Sequence, residues 1–151
     1  MKTKYSATQY LVYLLSRRDY SERELRQKLK QKAYEADEIE QAIETAQTHQ
    51  WQSDARFCQH FIRSRSQQGY GPARLKQELR LKGVADWLIT QELENSEIDW
   101  FELAERVFQK KCPEEWDLKA KQKMWRYMLS HGFSSDHFSH LMNLEFDNEW
   151  E

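Results

Sequence analysis

Basic side chains recur at the same spacing in two stretches of the chain that lie 50 positions apart. Arg26 and Lys30 stand four residues apart in the first stretch, and Lys76 and Arg80 do so in the second. On a helix this spacing places both cations of a pair on one face. Rows of cations suit the phosphate oxygens of nucleic acid or an acidic groove in a protein assembly. The sequence therefore predicts a basic ridge, composed of Arg23, Arg26, Lys30, Lys32, Arg63, Arg65, Arg74, Lys76, Arg80 and Lys82.

The same residues have a simpler interpretation, as the solvated face of ordinary surface helices. A role in reading DNA bases is less favoured, because the helical stretches after the ridge carry few Arg, Asn or Gln side chains where a recognition helix needs them. Tyr20 and Tyr70 occupy matching positions in the two stretches, and we interpret them as packing residues. Stacking of these two rings on nucleic-acid bases is the alternative.

Arrangements that support catalysis are missing from the sequence. Neither Cys58 nor Cys112 has a base at a recognisable spacing, and no Gly-x-Ser-x-Gly or His-Glu-x-x-His motif occurs. Asp136, His137 and His140 share part of a helix face, but a structural zinc site needs a fourth ligand. We therefore predict a non-enzymatic protein with two unpaired thiols, no metal site and no cofactor.

Composition restricts the fold class and the compartment. The 151 residues include only four Gly and two Pro, which is too little turn chemistry for an all-β sandwich or barrel. The aromatic content favours a packed protein. Most of the five Trp in the acidic half 83–151 are expected in the core or in packing between repeats, while Trp150 is a candidate partner contact. The apolar run at 10–15 is too short to cross a bilayer, so we expect a cytoplasmic protein without a membrane partner.

Charge is divided unevenly along the chain. Residues 1–82 hold 16 of the 23 Lys and Arg and 10 of the 25 Asp and Glu, a formal balance of +6. Residues 83–151 hold the remaining 7 cations and 15 carboxylates, a balance of −8. Such asymmetry indicates that one part attracts polyanions and the other does not. Chance segregation on a solvated helical surface is the alternative.

An internal repeat with a period near 50 residues organises these features. Shifted by 50, the stretch 19–32 overlays 69–82 and matches Tyr, Leu, Leu and Lys positions. A third, weaker copy lies 49 residues further on, where Met124, Met128, Gly132 and Phe133 follow Leu75, Leu79, Gly83 and Val84. Weak terminal copies are common in repeat proteins.

Each copy has the pattern of three helices. Ser21 with Glu24 forms a capping-box sequence at the start of the second helix, and Pro72 suits a first helical position. Gly83 and Gly132 suit left-handed caps that end this helix. The sequence predicts an all-α fold of three tandem three-helix repeats stacked into an elongated curved rod. The repeats span 1–52 with a short N-terminal arm, 53–98, and 99–151 with an acidic tail.

The stretch 61–84, FIRSRSQQGYGPARLKQELRLKGV, resembles the central signature of the RecX family. The stretch 19–25 and the segment 97–100 are similar to the same family, and the resemblance runs from about residue 10 to residue 142. It implies a regulator of the RecA recombinase in the SOS response and DNA repair. Such a protein binds the helical groove of the RecA–single-stranded DNA filament and blocks its growth or promotes its disassembly.

The resemblance also implies what the filament loses, namely its ATPase, strand-exchange and co-protease activities. The expected partners are the RecA filament, single-stranded DNA and, as a further candidate, double-stranded DNA, with the regulator itself a monomer. A competing hypothesis from another class is a sequence-independent DNA-binding module built of tandem helix-turn-helix-like units. The acidic half favours the first hypothesis, because a simple DNA binder gains nothing from a surface that repels phosphate.

Overall fold

The computed structural model describes the backbone of residues 5–148 and the side chains of residues 5–142. Within that range the chain forms nine helices and no strand, which confirms the all-α fold class. The helices are α1 (Ala7–Arg17), α2 (Glu22–Gln31), α3 (Ala36–Thr48), α4 (Asp54–Gln67), α5 (Pro72–Leu81), α6 (Asp86–Asn95), α7 (Trp100–Lys111), α8 (Leu118–Ser130) and α9 (Ser135–Asn148). The arm before residue 5 and the predicted contact at Trp150 lie outside the described residues.

The chain divides into two compact units. One unit comprises residues 1–61 and 79–92, and the other comprises residues 62–78 and 93–151. Helices α4, α5 and α6, which make up the second repeat, each contribute residues to both units. The curved-rod stacking and the repeat boundaries after residues 52 and 98 stay predictions.

Each unit has its own hydrophobic core. In the first unit α1, α2 and α3 bury Ala7, Leu11, Leu14, Tyr20, Leu25, Leu29, Ile39, Ala42, Ile43 and Ala46 together. In the second unit the core contains Leu103, Ala104, Phe108, Trp116, Met124, Met128, Phe133, Phe138 and Leu141. The paired apolar positions four residues apart on α2, α5 and α8 are all buried, as their spacing predicts.

The predicted starts of the second helices are confirmed. The Ser21 side chain accepts a hydrogen bond from the Glu24 N–H at 3.2 Å, and the Glu24 carboxylate accepts one from the Ser21 N–H at 3.0 Å. Together these bonds satisfy two backbone donors that a helix start leaves unpaired. Helix α5 begins at Pro72, where the missing N–H costs no helical hydrogen bond.

The predicted helix ends are also confirmed. Gly83 and Gly132 have φ angles of +82° and +96°, in the left-handed region that glycine enters without strain. The Val84 N–H then donates to the Leu79 carbonyl at 3.1 Å, which is the 6→1 hydrogen bond of a Schellman cap. In the first repeat Ala33 occupies the equivalent position with a φ angle of +66°.

The same contact recurs where one repeat meets the next. In the first unit the Ser21 hydroxyl donates to the Lys82 carbonyl at 2.7 Å. In the second unit the Gly71 N–H donates to the His131 carbonyl at 2.6 Å. In both cases the start of one repeat's second helix meets the end of the same helix in the following repeat. The sequence period therefore corresponds to a packing contact that is repeated along the chain.

The tryptophans are less buried than predicted. Trp116 is buried and Trp100 is half-buried, but Trp125 is 37% exposed and Trp87 is 68% exposed. Trp87 therefore does not belong to the core, whereas Trp125 packs edge-on against the buried ring of Phe138 at 4.9 Å, as the prediction expects. In α6 the buried side is occupied by the smaller Leu88 and Ile89, and the preceding position turns toward solvent.

Candidate functional site

Helices α2 and α5 present the ridge residues in the same way. Leu25 and Leu29 on α2, like their equivalents on α5, are fully buried. The ridge cations that directly follow these leucines therefore lie off the buried stripe, as predicted. Arg26 and its equivalent Lys76 are half-buried, whereas Lys30 and its equivalent Arg80 are exposed.

Two of these four cations are held by carboxylates. Arg26 contacts Glu22 at 3.0 Å and Glu40 on α3 at 2.6 Å. Hydrogen bonding to Glu40 is the largest cause that raises the pKa of Arg26 above its ordinary value. Arg80 contacts Asp86 at 2.7 Å. Both arginines therefore bridge the second helix of a repeat to the third.

Arg23 and Lys82 meet at the contact between the first two repeats, in the first unit. The Lys82 ammonium lies 3.1 Å from the Glu24 carboxylate, and Arg18 lies 3.3 Å from the same group. Burial, the largest single influence, raises the pKa of Glu24, but the Ser21 N–H, Lys82 and Arg18 together outweigh it and the pKa is lowered. The Arg23 stem packs on Gly83, where an added Cβ would come within 2.5 Å of the Arg23 Cδ.

Arg65 and Arg74 form a compact cluster in the second unit. Both guanidinium groups bind Glu78, at 2.8 and 3.0 Å, and both lie over the Tyr70 ring, at 4.0 and 4.5 Å. His131 stacks on Tyr70 at 5.1 Å. The hydrogen bond from Arg65 is the main cause that lowers the pKa of Glu78. Tyr70 is therefore a packing residue, as interpreted from the sequence.

Five ridge cations have no carboxylate partner in the described part of the chain. Among residues 5–142, no carboxylate lies within 4.0 Å of the charged groups of Arg23, Lys30, Lys32, Arg63 and Lys76. The sequence placed all ten cations in one functional class, whereas the structure separates these five from the five whose charge is offset by carboxylates. The role of the ridge in binding stays a prediction.

Lys32 lies in surroundings different from those of its repeat equivalent Lys82. Its ammonium lies 5.5 Å from the centre of the Tyr10 ring. It borders a cleft of about 570 Å³, lined by Tyr5, Gln9, Tyr10, Tyr13, Lys32 and Tyr34. Sequence reasoning missed this cleft. The sequence feature that could have indicated the cleft is the concentration of tyrosines before and after the second helix of the first repeat.

The two thiols have different environments. Cys58 is buried, and burial is the main cause that raises its pKa to about 12, which makes it a poor nucleophile. Cys112 is half-buried, and the two cysteines form no disulfide. Among the described residues no three His, Cys, Asp or Glu side chains are grouped to hold a metal. Nor does that part of the chain contain a helix of the length and apolarity that crossing a bilayer requires.

Family comparison accounts for the repeat and for most of the chain. Residues 7–45 match the first three-helix domain of RecX, residues 53–93 match the second, and residues 97–142 match the third. The chain belongs to the RecX family. The resemblance that the central signature indicated is thereby confirmed.

Relatives and solved structures agree with this assignment. The chain is 68% identical over 150 residues to the regulatory protein RecX of Actinobacillus pleuropneumoniae, which covers 99% of each chain. It is 65% identical to that of Haemophilus ducreyi over 94% of each chain. The crystal structure of RecX from Lactobacillus salivarius superposes with a TM-score of 0.73 at 20% identity, over 93% of this chain and 94% of that one. A second RecX crystal structure gives 0.71 at 21% identity, over 88% of this chain and 68% of that one. The RecX fold is thus shared.

Proposed function

We propose that this protein is a negative regulator of the RecA recombinase that binds the filament of RecA on single-stranded DNA. Within the groove of that filament it inhibits the ATPase, strand-exchange and co-protease activities, by blocking growth or promoting disassembly. The observation that carries the proposal is the match of all three helical domains, together with relatives named regulatory protein RecX over nearly the whole chain. A regulatory role is common to that family.

The contact surface in this proposal is the basic ridge. The five ridge cations without a partner supply its strongest attraction, because no carboxylate of the described chain offsets their charge. The paired arginines contribute less at long range, since a nearby carboxylate cancels much of their field. They can still exchange a carboxylate for a phosphate at close contact.

We further propose that the protein acts without catalysis of its own, as a monomer in the cytoplasm, within the SOS response and DNA repair. Its partners are the RecA filament and single-stranded DNA, with double-stranded DNA as a further candidate. Support for these assignments comes from the family, whose members are regulatory proteins.

Binding to naked single-stranded DNA and to RecA-coated DNA, measured side by side at one salt concentration, tests the proposal. One salt concentration is essential because affinity for polyanions depends steeply on salt. We expect coated DNA to bind roughly tenfold or more tightly, a difference of about 1.4 kcal/mol. The RecA ATPase should fall over the same range of protein concentration.

Equal affinity for both forms of DNA, with no effect on the ATPase, would contradict the proposal. That outcome favours the alternative, a sequence-independent DNA-binding module of tandem helix-turn-helix-like units.

A further inference from the structure

The tyrosine cleft of the first repeat lies where α1 faces the turn between α2 and α3. Tyr10 and Tyr13 project from α1, Tyr34 follows the end of α2, and Tyr5 precedes α1. The hydroxyl of Tyr34 donates to the Tyr5 carbonyl at 2.7 Å, which ties the turn to the start of the helix. Four aromatic rings thus share one surface depression of about 570 Å³.

The arrangement of the rings allows a planar ligand to stack on them. Tyr10 and Tyr13 stack with ring centres 6.3 Å apart and an angle of 20° between their planes. The ring centre of Tyr34 also lies 6.3 Å from that of Tyr10, with an angle of 32° between the planes. Tyr13 and Tyr5 are 53% and 58% exposed. The cluster has a half-buried base, formed by Tyr10 and Tyr34, and exposed outer rings, which suits stacking of a ligand on its rim.

The charge beside these rings is positive. The Arg17 guanidinium lies 5.8 Å from the Tyr13 ring centre and donates to the Tyr13 hydroxyl at 3.2 Å. Lys32 lines the cleft, and none of the described residues that line it carries a carboxylate. Within the described chain neither Arg17 nor Lys32 forms an ion pair. The complementary ligand is therefore an anion that also carries flat rings.

Comparison of the repeats shows how Lys32 differs. In the first unit its equivalent, Lys82, is bound by Glu24 of the first repeat, 3.1 Å away. The Lys32 ammonium lies 5.5 Å from the centre of the Tyr10 ring and pairs with no carboxylate among the described residues. A repeat position that elsewhere joins two repeats is here left beside an aromatic surface, with its charge uncancelled.

We propose that the tyrosine cleft binds one or two bases of single-stranded nucleic acid by stacking, with Arg17 and Lys32 at the flanking phosphates. Stacking on tyrosine is indifferent to base identity, because every base has a flat face. Duplex DNA does not fit, since its base faces are already covered by neighbouring base pairs. The inference deepens the proposed function and rests on it in one respect: the strand bound in the cell would be that of the RecA filament.

The test uses the full chain and a fluorescein-labelled oligothymidylate, without RecA, at low salt. Stacking of one base on an aromatic ring contributes enough that alanine substitution weakens binding about fivefold or more. We expect Tyr13→Ala to lose affinity by that factor and Tyr13→Phe to retain it. Lys32→Gln should lower the salt slope by about 0.7, the value of one phosphate contact on a single strand.

Phe101→Ala provides a matched control, because Phe101 is an exposed ring on α7 outside the cleft. It should leave oligothymidylate affinity unchanged. Circular dichroism and the melting temperature of each variant report whether the fold is intact. A folded Tyr13→Ala protein with wild-type affinity would overturn the proposal, as would wild-type protein that does not bind the oligonucleotide.

A proline-rich peptide is the other ligand that tyrosine grooves accept. Peptide binding that depends on Tyr13, with oligothymidylate binding that does not, would overturn the nucleic-acid assignment. Because RecA is absent from this measurement, its failure leaves the filament proposal standing. Conversely, loss of the RecA effect alone would leave the stacking site standing.

Discussion

At Ala33 the backbone has a left-handed conformation that the two later repeats assign to glycine. A residue with a Cβ is disfavoured there by roughly 1–2 kcal/mol. Part of that strain is offset in the unfolded chain, because glycine has more conformational freedom to lose. We therefore expect Ala33→Gly to stabilise the protein by about 0.5–1 kcal/mol. Thermal unfolding followed by circular dichroism measures the change.

Gln27→Gly is the control for this prediction, since Gln27 is exposed in the interior of α2. Glycine at such a position lowers helix stability by up to about 1 kcal/mol. A lower melting temperature for both variants would show that Ala33 carries no relievable strain.

Cys58 illustrates a nucleophile that packing makes inert. Its side chain is buried, and its pKa is raised to about 12, so almost none of it is thiolate at neutral pH. We expect the double variant Cys58→Ala and Cys112→Ser to inhibit the RecA ATPase like the wild type. In the wild-type protein, thiol titration should show that Cys58 reacts only after unfolding. Loss of inhibition in a fully folded double variant would assign the thiols a role.

At the level of elements, α5 contains two leucines with opposite environments. Leu79 is fully buried and Leu81 is 74% exposed. Removing a buried leucine side chain costs about 2–5 kcal/mol, through lost apolar burial and the cavity left behind. We expect that loss for Leu79→Ala and a change within about 0.5 kcal/mol for Leu81→Ala, in chemical unfolding. Similar losses for both variants would contradict the repeat packing.

Glu78 links α4 to α5 through Arg65 and contributes to the acid sensitivity of the fold. Because its pKa is lowered in the folded protein, its stabilising effect is fully present above the unfolded value of about 4.3. That effect is lost as the pH falls through the lowered value. We expect Glu78→Gln to be less stable than the wild type at pH 7, with the difference shrinking as the pH falls below about 4.

Urea unfolding at pH 7 and at pH 3.5 measures this convergence. Glu44→Gln is the control, because Glu44 is exposed on α3 and takes part in no ion pair of the described chain. It should follow the wild type at both pH values. A constant difference between Glu78→Gln and the wild type would mean that the ion pair contributes no pH dependence.

At the scale of the whole molecule, the formal charge of each half conceals local exceptions. The half 83–151 has a balance of −8, yet six of its seven cations lie between residues 110 and 126. Three of them, Lys111, Lys119 and Lys123, line a cleft of about 490 Å³. Conversely, several cations of the +6 half are matched by carboxylates. The attraction of the surface for polyanions therefore depends more on which cations lack a neighbouring carboxylate than on the formal charge of each half.

The filament proposal predicts that reversing unpaired ridge cations is damaging. We expect Lys30→Glu with Lys76→Glu to weaken binding to RecA-coated DNA and to flatten its salt dependence, because two uncancelled positive charges are replaced. Stability should change by no more than about 0.5 kcal/mol for each surface site. This pair is cleaner than Lys76 with Arg80, because reversing Arg80 also breaks its ion pair with Asp86.

Lys119→Glu with Lys123→Glu is the matched control, with the same change of charge on exposed positions of α8. Its effect on filament binding should be smaller. If the ridge variant binds coated DNA as tightly as the wild type at low salt, the ridge is only a solvated face. The binding surface then lies among the aromatic and acidic residues of the third repeat.

Much of the local structure was determined by the sequence alone. The capping box at Ser21 and the left-handed caps at Gly83 and Gly132 involve groups within a few residues of each other, so their signals are local. Leucines four residues apart predict a buried stripe because helical periodicity is a local property as well. The repeat and the family followed from the same patterns, and the all-α fold class with them.

The tertiary structure alone decided which predicted site residues remain available. Arg26 finds its partner Glu40 fourteen positions away, and Lys82 finds Glu24 fifty-eight positions away. The tyrosine cleft likewise combines residues from two separate stretches, 5–13 and 32–34. Helical periodicity tells which side of a helix is buried, but it does not tell which helix lies beside that side. Charge pairing and clefts depend on those neighbours, and packing of the helices determines them.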